Sequence, residues 1–357
     1  EGEVMFGSIL QAYLDSRDYA AIPGLFWRDT NGQICRNPGE PEFISNLDEL
    51  PFPAYDLLDL SKYWRSYSMA PIPNRRYLSM FTSRGCPYQC YYCHKIFGKY
   101  YRSHSPERVV DELQYYLTHF GVNEVEFLDD VFNLDAQRTI AICELIQRRG
   151  LKVKIAFPNA VRTDLLTQDV VDALADAGTY YSAFALETGS PRLQKAIGKR
   201  LNISRYLQGV EMSVNRGIFS QGFTMLGFPT ETAEEMQLTI NTACNSKLHT
   251  ALFFTVTPYP NTQLYDLIKR TDPNILTEVR YDNTDYVYNP SVNLSEVPDE
   301  EFASFVRNAN RQFYLHPVRI TRIIRDYPKR LQLIRYLLPF AGYVTRRSIT
   351  LTNKLRG

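Results

Sequence analysis

The chain has 357 residues, 44% of them apolar, with 40 Lys/Arg against 39 Asp/Glu. That length suits about two domains, the composition is that of an ordinary folded protein, and no run reaches the ~18 apolar residues of a membrane span. Residues 311–357 hold eleven Lys/Arg and a single acid, Asp326, so the basic charge is confined to a tail and global nucleic-acid binding is not indicated. No secretory leader is visible and the chain opens on Glu1, which reads as a fragment or a processed product. Its six cysteines show no disulfide-type pairing, which points to a reducing, cytoplasmic setting.

Taken in order, Val4 to Ser16 suits a helix, and Asn31-Gly32 suits a type I′ turn in a hairpin between Ile22 and Ile34. Leu50-Pro51-Phe52-Pro53 and Pro71-Ile72-Pro73 favour extended connection. Residues 1–76 are therefore expected to be a remnant and linker, too short for a typical domain. From Tyr77 to about Arg270 a strand–helix unit recurs at roughly the ~30-residue length of a βαβ repeat. The strand candidates are Tyr77–Ser83, Glu124–Leu128, Lys152–Phe157, Tyr180–Leu186, Phe219–Leu226 and Ala251–Thr257. Helix signals fall between them: Ser105-Pro106 as N-cap and N1, Gly150 and Gly178 as stops after helices from Asp135 and Thr167, Ile203 to Arg216, and a capping box at Thr232–Glu235. Alternation of this kind predicts a parallel sheet. Six units are fewer than the ~250 residues of an eight-unit barrel accommodate. An open six-stranded barrel and a doubly wound sheet both fit, and both place chemistry at the carboxyl ends of the strands.

Each of those strand ends carries polar, Gly or Pro residues, and the first is followed by Gly85-Cys86-Pro87-Tyr88-Gln89-Cys90-Tyr91-Tyr92-Cys93-His94. Three thiolates at Cys-x3-Cys-x2-Cys spacing can hold three corners of a cubane iron–sulfur cluster and leave one iron open. Flanking Arg84 and Lys95 would favour thiolate over thiol, and the surrounding tyrosines and Phe97 would screen a cluster from water. A structural zinc site would need four ligands in paired clusters, and a Cys90/Cys93 redox pair leaves Cys86 unexplained. Other strand ends present Asp129-Asp130, costly to bury without a cation. Arg162 can fork onto a carboxylate, and Glu187 can accept ribose hydroxyls. Gly227 permits close backbone approach to a flat ring, with Phe228 or Tyr259 able to stack on it. N-cap and ion-pair roles are the structural alternatives for the charged residues.

The cysteine spacing, with an aromatic before the third Cys, resembles the signature of the radical S-adenosylmethionine (radical SAM) superfamily. The resemblance implies a partial (β/α)6 TIM-like barrel over 77–270, with Cys86, Cys90 and Cys93 ligating a 4Fe–4S cluster whose open iron chelates S-adenosylmethionine (SAM). It further implies that Asp129 and Asp130 hold the SAM amino group, Glu187 its ribose, Arg162 a carboxylate, and Gly227, Phe228 and Tyr259 the adenine. Asn261 stands where many relatives carry Gly. The wording of residues 1–76 resembles the join to a cobalamin-binding domain, without an Asp-x-His-x-x-Gly motif in this chain, so cobalamin is expected only of an intact longer chain. The implied activity is hydrogen abstraction by a 5′-deoxyadenosyl radical from a lipid-like or tetrapyrrole substrate, leading to methyl transfer or oxidative cyclisation. A flavodoxin- or ferredoxin-type electron donor is the implied partner.

Two other functions remain open: a methylthiotransferase acting on RNA, which would carry a small β-barrel after the core, and an iron–sulfur carrier or sensor that ignores SAM. Residues 271–357 read instead as a helical extension with a basic tail. Asn289-Pro290 and the helix from Pro298 are expected to cover the barrel's mouth or open edge. Arg319, Arg322, Arg325, Lys329, Arg330 and Arg335 interleave with apolar residues up to Leu337-Leu338-Pro339-Phe340. Such segments suit peripheral contact with the inner face of the membrane or a packed terminal helix with a solvated basic face.

Overall fold

The computed structural model describes residues 1–333 except 16–17, 41, 66–67, 73–74, 282–291 and 331–332, and only the backbone of Ala160. In chain order the elements are α1 (Gly2–Asp15), the hairpin β1 (Phe26–Arg28) and β2 (Ile34–Arg36), and α2 (Leu60–Trp64). Then come β3 (Tyr77–Met80), β4 (Ser83–Arg84), β5 (Arg102–Ser103), α3 (Pro106–His119), β6 (Glu124–Phe127), α4 (Ala136–Arg148), β7 (Lys154–Val161) and α5 (Gln168–Asp176). They continue with β8 (Thr179–Glu187), α6 (Pro191–Ala196), α7 (Ile203–Asn215), β9 (Phe219–Leu226), α8 (Ala233–Asn245) and β10 (Thr250–Thr255). The last are α9 (Gln263–Thr271), α10 (Ile275–Glu278), α11 (Asp299–Tyr314) and α12 (Pro317–Asp326). The segments Asn289-Pro290 and Leu337–Phe340 lie outside the described residues.

Six strands form one parallel sheet in the order β3-β6-β7-β8-β9-β10. A doubly wound sheet reverses its strand order at a switch point; this one never reverses, so it is the arc of a TIM-like barrel. The helix starts follow from local chemistry. Ser105, Asp135 and Thr167 each accept a backbone N–H of the first turn, and Thr232 with Glu235 forms the reciprocal capping box. The hairpin forms, but not with a type I′ turn. Of its turn residues only Gly32 has a positive φ, +80°, and a five-residue connection is held by Asp29, whose carboxylate accepts from the N–H groups of Asn31 (2.9 Å) and Gln33 (2.8 Å).

Side chains alternate across each strand. Leu78, Met80, Val125, Phe127, Ile155, Phe157, Phe184, Leu186, Leu226 and Phe253 face the helices and build the main core. The inner face is closed at its amino-terminal end by the segment that reads as linker. Ala70 and Ile72 pack on Ala156, Tyr181 and Phe219 inside the arc. The guanidinium of Arg75, 1% exposed, pairs with Glu124 (3.2 Å) and with Glu126, and the Tyr180 hydroxyl donates to Glu124 at 2.9 Å.

An arc has two free edges, and each is blunted by side chains from outside the repeats. On β3, Tyr55 and Trp64 donate to the carbonyls of Ser79 (2.7 Å) and Tyr77 (2.9 Å). On β10, the Tyr314 hydroxyl accepts from the Ala251 N–H (3.1 Å) and donates to its carbonyl (2.8 Å). The expected cover over the open edge is thus α11. Helix α12 differs from a simple basic amphipathic stripe. Arg319 turns inward, donates to the carbonyls of Leu248, Cys244 and Ser246, and lies 3.7 Å from the Phe313 ring centroid, while Val318, Ile320 and Ile324 face outward. No described helix is long and apolar enough to cross a membrane.

Replacing Arg75 by Met leaves two buried carboxylates without their cation, a loss of about 3–5 kcal/mol. The urea unfolding midpoint should fall accordingly, and the double variant Arg75→Met/Glu126→Gln should recover part of it.

Candidate active site at the carboxyl ends of the strands

Strands β4 and β5 pair antiparallel, Ser83 with Ser103 and Arg84 with Arg102, and close a loop carrying all three clustered cysteines at the rim. Gly85 opens that loop at φ +84°, where an added Cβ would meet the Tyr100 carbonyl oxygen at 2.2 Å. The loop is pinned from two sides: the Tyr91 N–H donates to the Ile197 carbonyl (3.1 Å), and the Tyr91 carbonyl accepts from Leu264 N–H (2.9 Å). Gly198 has room only for hydrogen, since a Cβ there would meet the Gln89 carbonyl oxygen at 2.4 Å.

Cys86, Cys90 and Cys93 are half-buried free thiols. Burial raises the Cys86 thiol and pushes Cys93 up to about 11, with Cys90 adding to both. Lys99 opposes the rise, and its ammonium donates to the Tyr88 carbonyl at 2.8 Å. The expectation for Arg84 and Lys95 is corrected here. Arg84 is spent on Glu3 (2.5 Å) and Glu1 (3.6 Å), Lys95 is exposed, and the cation beside the thiols is Lys99. The signal for it was Gly98, whose φ of +74° turns the chain back over the loop. Among the described residues no three His, Cys, Asp or Glu side chains converge on a single ion. A four-iron cubane is liganded at separate corners, and three thiols on one fixed loop suit it.

The two adjacent aspartates part company. Asp129 lies on the outward parity of β6, and one of its oxygens accepts from the Thr82 N–H (3.0 Å), the Thr82 hydroxyl (2.9 Å) and the Ser83 hydroxyl (2.5 Å). Burial raises its carboxyl against those bonds, and its other oxygen is buried without a hydrogen bond. Its geometry is that of a clamp on the chain leading into the Cys loop. Asp130 continues the inward series Glu124, Glu126, Leu128. It faces His94 at 3.6 Å and is close enough to Cys86 and Cys93 to raise both thiols. Its own carboxyl is raised by burial and lowered by His94 and Lys99.

Glu187 ends β8 at φ +64°, beside a register shift against β9. A non-glycine residue there costs of order 1 kcal/mol, and such strain gathers at functional sites. Its carboxylate pairs with the buried Lys199 ammonium at 2.9 Å and hydrogen-bonds Tyr92, next to Cys93. Sequence reasoning missed Lys199. The fork of Arg162 is taken within the chain: Asp164 at 2.9 Å and the Lys199 carbonyl at 3.0 Å. Its guanidinium lies 3.6 Å from the Tyr88 ring centroid, so it supports the Cys loop from beneath.

The expected adenine residues also separate. Gly227 takes φ +96°, and a Cβ there would meet Phe302 of α11 at 2.9 Å, so its side is occupied by protein. Phe228 is fully buried and packs against Tyr91 and Tyr92, with ring centroids 6.4 and 5.6 Å away. Tyr259 stays at the rim, 40% exposed, 6.0 Å from Tyr281, and Asn261 completes the turn there at φ +66°. Glu231, unassigned from sequence, is fully buried and accepts from the N–H groups of Gly227 (2.6 Å) and Phe228 (2.9 Å).

Burial lifts the Glu231 carboxyl from 4.5 to about 7. The folded chain keeps a proton there that the unfolded chain releases, so this group's contribution to stability is lost as pH rises from about 4.5 to about 7. Glu231→Gln keeps an acceptor for both N–H groups and cannot ionise. Urea midpoints measured across that range should show the wild type losing stability relative to the variant as pH rises; parallel curves would contradict this.

The radical SAM superfamily model matches residues 80–243. An uncharacterized methyltransferase of Pyrococcus horikoshii is 33% identical over 92% of this chain and 69% of its own. An anaerobic magnesium-protoporphyrin IX monomethyl ester cyclase of Rubrivivax gelatinosus is 24% identical over 74% of this chain and 47% of its own. The solved structure of TsrM from Kitasatospora setae, a radical SAM methyltransferase with cobalamin and a 4Fe–4S cluster bound, superposes with a TM-score of 0.58 at 21% identity, covering 75% of this chain and 52% of that one. The chain thus spans about half of the latter two proteins. With its strand order, its cysteine loop and these relatives, the chain belongs to the radical SAM superfamily, whose members work with a 4Fe–4S cluster and SAM.

Proposed function

We propose that this chain is the catalytic barrel of a radical SAM methyltransferase or cyclase acting on a small molecule, with Cys86, Cys90 and Cys93 as the cluster ligands. The observation that carries this reading is the meeting of the three thiols, Asp130 and Glu187 at one rim of the arc. The cluster, when bound, supplies the electron that cleaves SAM to methionine and a 5′-deoxyadenosyl radical, which takes a hydrogen atom from the substrate. In this reading Asp130 would accept a hydrogen bond from the ammonium of SAM, and Lys99 would face its carboxylate. Glu187, oriented by Lys199 and Tyr92, accepts the ribose hydroxyls, and Tyr259 offers its ring to the adenine. Asp129, Arg162, Gly227 and Phe228 hold the rim in place from behind. The closed floor and the helical cover keep stray hydrogen donors from a reactive carbon radical.

The lengths of TsrM and the cyclase support a larger protein in which a cobalamin-binding domain adjoins α1. That helix leaves Phe6 and Leu14 exposed and is tied to the base of the Cys loop through Glu1 and Glu3. This chemistry requires a low-potential one-electron donor, and a protein of flavodoxin or ferredoxin type would supply it. The outward Val318, Ile320 and Ile324 of α12, beside Arg322 and Arg325, suit contact with an anionic membrane surface. Co-sedimentation with liposomes should rise with anionic lipid content, and indifference to that content would remove the membrane from this account.

The central test is anaerobic reconstitution with iron and sulfide, followed by low-temperature EPR with and without SAM and assay of 5′-deoxyadenosine. The wild type should give a 4Fe–4S signal that shifts on SAM addition, with 5′-deoxyadenosine formed; a signal indifferent to SAM would favour an electron carrier. Asp130→Ala should load iron normally yet need about tenfold more SAM for the shift, the loss of one charge-assisted bond. Asp129→Ala should instead lower iron loading, because it releases Thr82 and Ser83.

A further inference from the structure

The turn between α6 and α7 lies backbone to backbone against the cysteine loop. A Cβ on Gly198 would meet the Gln89 carbonyl oxygen at 2.4 Å and the Cys90 Cα at 3.6 Å, and the Ile197 carbonyl accepts from the Tyr91 N–H. One buried amide holds the turn in place. The Gln194 side chain donates to the carbonyls of Leu186 (2.8 Å) and Thr188 (2.7 Å) and accepts from the Leu201 N–H (3.1 Å). The Gln194 backbone carbonyl accepts from the Arg200 N–H at 2.8 Å. Arg200 itself sits at φ +51°, a conformation that costs a non-glycine residue of order 1 kcal/mol.

Charge of one sign collects on the outside of this turn. From Thr188 to Val210 the chain has five Lys/Arg and no Asp or Glu, although its totals of 40 and 39 nearly balance. Two of the five are neutralised, Arg192 by Glu235 (2.5 Å) and Lys199 by Glu187 (2.9 Å). The nearby Asp164 is spent on Arg162 (2.9 Å) and on the Asn202 N–H (3.1 Å). Lys195, Arg200 and Arg205 are left exposed, with no ion pair among the described residues. Lys195 and Arg200 line a groove of about 310 Å³ with Pro191 and Asn202, and Arg205 follows in the first turn of α7. A surface shaped by solubility alone would intersperse both signs.

The partner that matches is small, acidic and able to give an electron. A patch of one sign steers an oppositely charged partner toward it. Electron-transfer complexes are brief encounters that bury less than about 1,200 Å², an area that three cations can direct. The groove lies between two helices outside the arc, away from the space where a substrate must meet the radical. We infer that Lys195, Arg200 and Arg205 form the docking surface for an acidic electron-transfer protein, placed so that its electron crosses the contact between Gly198 and Cys90. One electron leaves the donor's redox group and enters the cluster, and no covalent bond forms or breaks. This rests on the radical reading for the cluster that is reduced, and it adds to that reading where the donor binds.

The probe is flavodoxin, an acidic one-electron donor, presented to the full chain after anaerobic reconstitution. Binding of fluorescently labelled, oxidised flavodoxin is read by anisotropy, and cluster reduction by photoreduced flavodoxin is timed by stopped-flow absorbance. At low salt the variant Lys195→Glu/Arg200→Glu/Arg205→Glu should bind about tenfold more weakly and be reduced about tenfold more slowly. Added salt should erase most of that difference. Reduction by dithionite, which needs no docking, should stay within about twofold of the wild type. The control is Arg148→Glu/Lys152→Glu/Lys247→Glu, the same change of net charge in exposed residues at the opposite end of the strands; its binding and reduction should stay within about threefold of the wild type. Unchanged flavodoxin binding in the first variant, equal weakening in both variants, or slowed dithionite reduction overturns the docking surface. A dithionite-reduced cluster whose EPR signal ignores SAM removes the radical reading, while the two variants still decide the surface. A chain that takes up no cluster removes both.

Discussion

A sheet curled into part of a barrel has an inside and an outside, and every strand hands alternate side chains to each. That alternation governs most of what happens in this chain. On β6 it sends Val125 and Phe127 to the helices and Glu124 and Glu126 to the floor. One step further it separates two neighbours of identical chemistry: Asp129 clamps Thr82 and Ser83, and Asp130 looks across at His94. On β8 to β10 the same rule leaves Phe223, Leu252 and Phe254 lining the interior instead of joining the core.

An incomplete barrel meets obligations a closed one avoids. Its two outer strands have unpaired backbone groups, and its interior lacks the strands that would fill it. Both are met by segments outside the strand–helix repeats. Tyr55 and Trp64 seal one edge, Tyr314 the other, and Arg75 with Ala70 and Ile72 plugs the floor. Residues 68–72 and Arg75 are therefore part of the barrel in physical terms, although the prolines of this stretch read as connection. The inward turn of Arg319 belongs to the same set. It satisfies the carbonyls at the end of α8, where a cation is favoured by the helix dipole, and so fastens the covering helices to β10.

Local rules made the repeats legible. β9 runs from Phe219 to Leu226 as its sequence reading has it, and the caps at Ser105, Asp135, Thr167 and Thr232 are short-range chemistry that neighbours cannot override. The Cys loop was legible because three thiols in eight residues have few other uses. What sequence spacing hid was which groups share a space. Phe228 looks like a ring free to stack, and is buried because Tyr91 and Tyr92 return over it from a loop more than a hundred residues earlier. Arg162 looks like a carboxylate fork, and already holds Asp164 two residues away. Asp130 was within reach of sequence alone: counting parity from Val125 and Phe127 would have singled it out over Asp129. Lys199 was not, because its partner Glu187 is joined to it only through the fold.

The open arc and its partly open interior are two sides of one constraint. An eight-strand barrel of this kind fills its interior with its own branched side chains, so its substrates sit above the strands. Six strands cannot close, and the space that opens between them must either collapse or be used. Here the bottom is filled by the Arg75 ion pairs together with Ala70 and Ile72 on Ala156, Tyr181 and Phe219, and the side is narrowed little, since β8 contributes Ala183 and Ala185. A floor of buried charges resists the slide of apolar residues into it, because Glu124 and Glu126 cannot lose Arg75 without a cost of several kcal/mol.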